Sequence, residues 1–191
     1  MEKKSIWRVI VAAVIYLALF VLGATSGLLG PYVYAYAGTI LPLLFAFVYL
    51  YTAANMRCFG AALALNGFVL VVSLIAGEGN PALIIGMIIF TVLAEVIRMI
   101  IGCESLKGVR FSFIPFAFSF YAYSGHWWTD KQGTYEAAVE EMSTEYAEKI
   151  MEVVNNIPLL IVMLILVIPV SFLGILLAEK VMKKETARLS D

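Results

Sequence analysis

Six apolar stretches, each close to the length a membrane demands, take up most of this chain. They cover residues 6–24, 32–54, 58–76, 81–101, 111–124 and 157–178. A hydrocarbon layer of ~30 Å takes a helix of ~20 apolar residues. Backbone that crosses lipid must satisfy its own hydrogen bonds, so helices are the expected elements. The fold class this predicts is all-α, a polytopic membrane protein with six transmembrane helices in a single domain over residues 1–191. The breakers are short: "GLLGP" at 27–31, "NMR" at 55–57, "GEGNP" at 77–81 and "GCESLKGVR" at 102–110. With 62% hydrophobic and only 14% charged residues, the chain has too little charge to coat a water-soluble surface. The opening "MEKKSIWR", the apolar run and "GATSG" follow the order of a secretory signal. The run is long for that role, and span one is read as a retained helix.

Charge sorting gives the orientation. With the N-terminus in the cytoplasm and six alternating spans, eleven Lys and Arg fall on the inner side, from Lys3 and Arg8 to Lys184 and Arg188. Only Lys131 and Lys149 fall outside. Basic residues in short loops resist translocation, so both termini are expected in the cytoplasm of a multi-pass cell-membrane protein. Cys58 and Cys103 then lie on the reducing side and are expected to stay unbridged. A net charge of -1 speaks against nucleic acid as a partner.

One polar segment interrupts the pattern, residues 125–156, "GHWWTDKQGTYEAAVEEMSTEYAEKIMEVVNN". From Thr134 its apolar residues Tyr135, Ala138, Met142, Tyr146, Ile150, Val153 and Val154 recur at helical spacing. Val139 joins the same face, and six glutamates fill the others, with Glu145 and Lys149 one turn apart. The expectation is an extracellular amphipathic helix between spans five and six. Interfacial helices that adsorb to anionic lipid are basic; this one is acidic. It is read either as a lid over an outward-facing pocket or as a solvated connector.

The candidate binding residues cluster at that outer level. Tyr123, His126, Trp127 and Trp128 stand at the entrance of the segment. Tyr32, Tyr34 and Tyr36 open span two, and Glu78 and Asn80 lie in "GEGNP". Aromatic residues anchor helix ends at the membrane surface; they also stack on flat or apolar ligands. The tyrosine spacing of two aligns the rings on an extended segment and splays them on a helix. Inside the spans, Glu95 and Arg98 share one helical face, as a self-neutralising pair or as a docking point for a cytoplasmic partner. Asn66, an amide in hydrocarbon, needs a hydrogen-bond partner. Ala12, Ala13 and Ala18, with Gly23 and Gly27, make helix one a close-packing surface. One histidine and two cysteines supply no metal cage and no nucleophile–base pair, and no phosphate-binding loop appears. No enzyme activity, catalytic residue or cofactor is expected.

Several stretches together resemble the Trep_Strep integral membrane proteins, relatives of the substrate-binding S components of energy-coupling factor (ECF) ABC transporters. These are the basic start with its small-residue first helix, "VLAEVIRMIIG" (92–102) with "ESLKGVR", "FAFSFYAYSGHWWTD" (116–130), "EYAEKIMEVVNN" (145–156) and "LGILLAEKVMKK" (173–184). The resemblance implies a membrane subunit that captures a small nutrient or cofactor-like molecule, haem among the options. It implies as partners a transmembrane coupling protein and two cytoplasmic ATPases. In such proteins an Ala-x-x-x-Ala pattern in helix one meets the coupling protein. Here Tyr16 and Leu17 stand four residues after Ala12 and Ala13, so Ala12, Ala13 and Ala18, with Glu95 and Arg98, are the partner-coupling candidates. The alternative expectation is an accessory membrane protein that assembles with a partner complex and binds no small molecule.

Overall fold

The structure, a computed structural model, describes residues 3–56 and 59–189, and every regular element among them is a helix. Helix α1 (Lys3–Thr25) ends in a 3-10 turn (Ser26–Leu29). Helices α2 (Pro31–Ile40) and α3 (Pro42–Asn55) follow almost without interruption. Only Leu41 separates them, with helical dihedrals, and Pro42 opens α3 at a position where its missing N–H is not needed. Then come α4 (Ala61–Ile75), α5 (Pro81–Ile101), α6 (Leu106–Phe116), α7 (Ser119–Ser124), α8 (His126–Thr129), α9 (Lys131–Glu141), α10 (Thr144–Asn155), α11 (Ile157–Val181) and α12 (Lys183–Thr186).

Four segments are long and apolar enough to cross a bilayer: Ile6–Leu29, Pro31–Asn55, Pro81–Ile101 and Ile157–Val181. Their outward faces are apolar, with Val11, Val14 and Ile15 exposed on α1 and Ile161, Ile165 and Ile168 on α11. That inversion of the soluble pattern suits a lipid solvent. The other two expected spans take different forms. Helix α4 has 15 residues, about 22 Å at 1.5 Å each, too short to cross alone. The fifth is broken in two. Pro115 sits inside α6, and after it the chain tightens through a Phe118 N–H to Pro115 carbonyl bond before α7 begins. The buried Ser119 hydroxyl donates to the Phe116 carbonyl at 2.6 Å, restoring one partner at the break. Irregular backbone at membrane depth is tolerated only where protein surrounds it, and Phe113, Phe116, Ser119 and Phe120 are all fully buried.

At the basic end, charge inside the bundle is spent on helix termini. Glu95 is 3% exposed and accepts from the N–H groups of Gly60, Ala62 and Leu63 at 3.0, 2.7 and 3.2 Å. It therefore caps the start of α4 from the neighbouring helix, where orphan donors and the positive helix end favour a carboxylate. Arg98, 0% exposed, donates to the carbonyls of Ala53, Met56 and Cys103 at 2.8, 2.9 and 3.0 Å. It closes the ends of α3 and α5. The expected self-neutralising pair is thus replaced by two caps, and neither side chain presents a surface to a partner.

Arg98 also reaches the turn that bears Cys103. Cys103 is disulfide-bonded, which corrects the expectation of an unbridged thiol; Cys58, the only other cysteine in the sequence, lies outside the described residues. Sidedness sets the redox environment but says nothing of distance, and one guanidinium holds the Cys103 and Met56 carbonyls side by side. Nearby, Arg110 grips Glu179 through two bonds of 2.8 and 2.7 Å, joining α6 to α11.

Midway along the bundle the Tyr16 hydroxyl donates to Asn66 at 3.0 Å, and the Asn66 amide donates to Thr91 at 3.0 Å. This ties α1, α4 and α5 and supplies the partner that Asn66 requires. Ala12 and Ala13 are buried against the chain's own helices, whereas Ala18 is exposed. Gly174 lets α11 pack tightly on α3: a Cβ there would lie 2.8 Å from the Pro42 carbonyl.

Candidate functional site

At the end opposite the basic face, several helices begin, each with its own start signal. Gly30, in the left-handed region at φ 130°, turns the chain into Pro31 and α2. Asn80 accepts from the Leu83 N–H at 2.8 Å and Pro81 follows, opening α5. Asp130 caps α9 through Gly133 N, Ser143 caps α10 through Tyr146 N, and Asn156 caps α11 through Leu159 N.

Residues 125–156 therefore fold not as one amphipathic helix but as a short turn of helix, α8, and a helical hairpin, α9 and α10. The hairpin bends at Met142, where Met142 N and Ser143 N both return to the Ala138 carbonyl. Ala147, Ile150, Val153 and Val154 of α10 are buried, while Glu136, Glu140, Glu145, Glu148 and Glu152 face outward. The Tyr146 hydroxyl donates to the Gly27 carbonyl at 2.7 Å, latching the hairpin to the end of α1. Burial there pushes that hydroxyl's pKa up. On the outer face Lys149 pairs with Glu145 at 2.8 Å, which holds the Glu145 carboxyl below its usual range and raises Lys149.

Beneath the hairpin lies a cavity of about 810 Å³, at the large end of the range for small-molecule sites. Its walls are the last turn of α1 and the 3-10 turn (Ala24, Thr25, Gly27), the start of α5 (Asn80, Pro81), and α8 (His126, Trp127). Asp130, Thr134 and Glu141 of α9 and Tyr146 of α10 form the roof. Tyr34 and Trp127 close the floor, with ring centroids 4.6 Å apart. Below them aromatic side chains fill the bundle centre. Tyr34 touches Phe120 and Tyr123, Phe20 touches both of those, and Tyr16 packs on Phe45 and Phe116.

The cavity collects four of the nine candidate binding residues: Tyr34, Asn80, His126 and Trp127. Tyr123 sits one layer below and directs its hydroxyl to Glu78 at 3.4 Å, so both brace the wall. Tyr32, Tyr36 and Trp128 turn elsewhere. Because the chain is helical from Pro31, the tyrosines splay, and Tyr32 and Tyr36 line a separate apolar groove of about 690 Å³ between α1, α2 and α11. Trp128 leans on Tyr36 with centroids 6.5 Å apart. The buried Trp128 Nε1 and Tyr36 hydroxyl have no hydrogen-bond partner among the described residues.

The sequence reading missed the roof's own polar residues, Asp130, Thr134 and Glu141. Asp130 carried a cap signal and Glu141 stood just before the "MST" bend, so the hairpin was visible in principle as two capped helices.

A family model described as "Hypothetical bacterial integral membrane protein (Trep_Strep)" matches residues 3–187. Neither the curated proteins nor the solved structures offer a match. With nearly the whole length covered and an apolar-faced helical bundle beneath it, the chain belongs to the Trep_Strep family of integral membrane proteins.

Proposed function

We propose that this protein is a substrate-binding membrane subunit, the S component of an ECF-type importer. In this role it captures a small nutrient or cofactor-like molecule outside the cell and relies on partner subunits for ATP-driven uptake. The observation that carries this reading is the cavity of about 810 Å³ held between an aromatic floor and a helical-hairpin roof. The roof rests on the bundle through α10's apolar face and one Tyr146–Gly27 latch. The concentration of Lys and Arg at the opposite end supports an outward-facing mouth. The reading assigns no chemistry to the bound molecule.

Its test is purification of the protein from its own bacterial membranes under mild detergent. The expected result is co-isolation of a membrane coupling protein and two ATPases, together with a small molecule at near-equal stoichiometry by mass spectrometry. Isolation without any of these subunits, and with no small molecule retained, overturns the proposal.

A further inference from the structure

The polar groups around the cavity are unevenly divided between donors and acceptors. Five hydroxyls line it, and all but that of Tyr34 have their proton committed to a backbone carbonyl. Thr25 donates to Leu22, Thr129 to Gly125, Thr134 to His126, and Tyr146 to Gly27. What these groups still offer inward is lone pairs. His126 follows the same pattern: its Nδ1 lies 2.8 Å from the Tyr123 carbonyl, which can only accept, so the neutral ring leaves Nε2 as an acceptor. Glu141 makes no hydrogen bond or ion pair with any described residue, and Asp130 uses one oxygen on its cap and keeps the other. Among the lining side chains there is no Lys or Arg; the donors are the Asn80 amide and the Trp127 indole N–H, with the Tyr34 hydroxyl turned to Tyr123.

From this lining, with two uncommitted carboxylates and no basic side chain, we infer that the ligand is an organic cation: an ammonium, amidinium or protonated nitrogen heterocycle carried on an apolar or aromatic body. The inference rests on the capture reading above and names its substrate class. The cationic nitrogen supplies the protons that Glu141, Asp130 and His126 Nε2 lack, and charge-assisted bonds of this kind are the strong ones. The apolar body lies over Tyr34 and Trp127, whose ring faces attract positive charge in addition. A carboxylate or phosphate in the same place would face carboxylates with no counter-ion.

One feature of the opposite sign is present, the amino end of α5 at Asn80 and Pro81, where a helix dipole favours anions. It is muted. Pro81 has no N–H, and the Leu83 N–H is already taken by the Asn80 side chain. The carboxyl end of α1, carrying the dipole's negative pole, faces the same space. Outside the cavity, five more carboxylates against two lysines between residues 130 and 152 surround the mouth with a field that gathers cations.

The test uses full-length protein in nanodiscs, with a bacterial cell extract separated by ion exchange into cationic, neutral and anionic pools. Thermal unfolding is followed with each pool, and any molecule that stays bound through gel filtration is identified by mass spectrometry. Stabilisation by the cationic pool alone, reduced about tenfold in apparent affinity by Glu141→Gln and weakened by added salt, is the expected result. Unchanged stabilisation in both Glu141→Gln and Asp130→Asn, each folded by its own unfolding curve, overturns the role of the roof carboxylates. Retention of an acidic or neutral molecule overturns the cation class while leaving capture intact. No stabilisation by any pool and nothing retained overturns both.

Discussion

The two ends of this bundle treat polar groups in opposite ways. At the basic end, Glu95 and Arg98 are fully buried and each is committed to three backbone groups, so their charge is architectural. At the hairpin end, Glu141, the second oxygen of Asp130 and Nε2 of His126 surround an open volume with nothing bound to them among the described residues. A titratable residue inside a membrane protein is commonly read as a functional marker. Here the deeply buried charges hold helices together, and the uncommitted ones lie at the surface of a cavity. Commitment, more than burial, separates structure from recognition.

That contrast is sharpest under mutation. Arg98→Ala strands three carbonyls and is expected to cost about 3–5 kcal/mol of stability, read as a large drop in unfolding midpoint in nanodiscs. A midpoint within error of the parent would break the architectural reading. Glu95→Ala removes a three-donor cap and is expected to cost about 2–3 kcal/mol on the same assay. Trp127→Leu takes away half of the cavity floor and should weaken ligand retention about tenfold, or ~1.4 kcal/mol, while the protein still folds. Equal retention would move the ligand away from Tyr34 and Trp127. Tyr16→Phe loses one interhelical hydrogen bond, expected at ~0.6 kcal/mol. Trp128→Leu should leave retention unchanged, because that ring leans on Tyr36 outside the cavity. A loss equal to that of Trp127→Leu would dissolve the distinction between the two tryptophans.

How far these features were legible in the sequence depended on the range of the forces that set them. The long apolar runs announced the bundle, since hydrophobic length is a local property, and α5 and α11 lie where their runs lie. The period of the acidic segment marked it as amphipathic, lid or connector, but its bend was set by Ser143 as a cap and was overrun by the continuous spacing of Met142 and Tyr146. The fifth span read as one short helix because Pro115 is apolar and lies within the run; its break is stabilised by Ser119 and surrounding rings, which hydropathy does not weigh. Tyr34 and Tyr36 were inseparable until the helix start at Pro31 was known, as were Trp127 and Trp128, about 100° apart on a helix. Glu95 and Arg98 share a face as their spacing demanded. Their partners are the ends of other helices, and no local pattern points to those.

The double cap on α5 also limits how the molecule can move. Turning that helix by a single side-chain position would strand six main-chain groups at once, in surroundings with little water to take them up. Helices α3, α4 and α5 must therefore travel as one block. The roof is held differently, by the apolar face of α10 and a single phenol bonded to the end of α1.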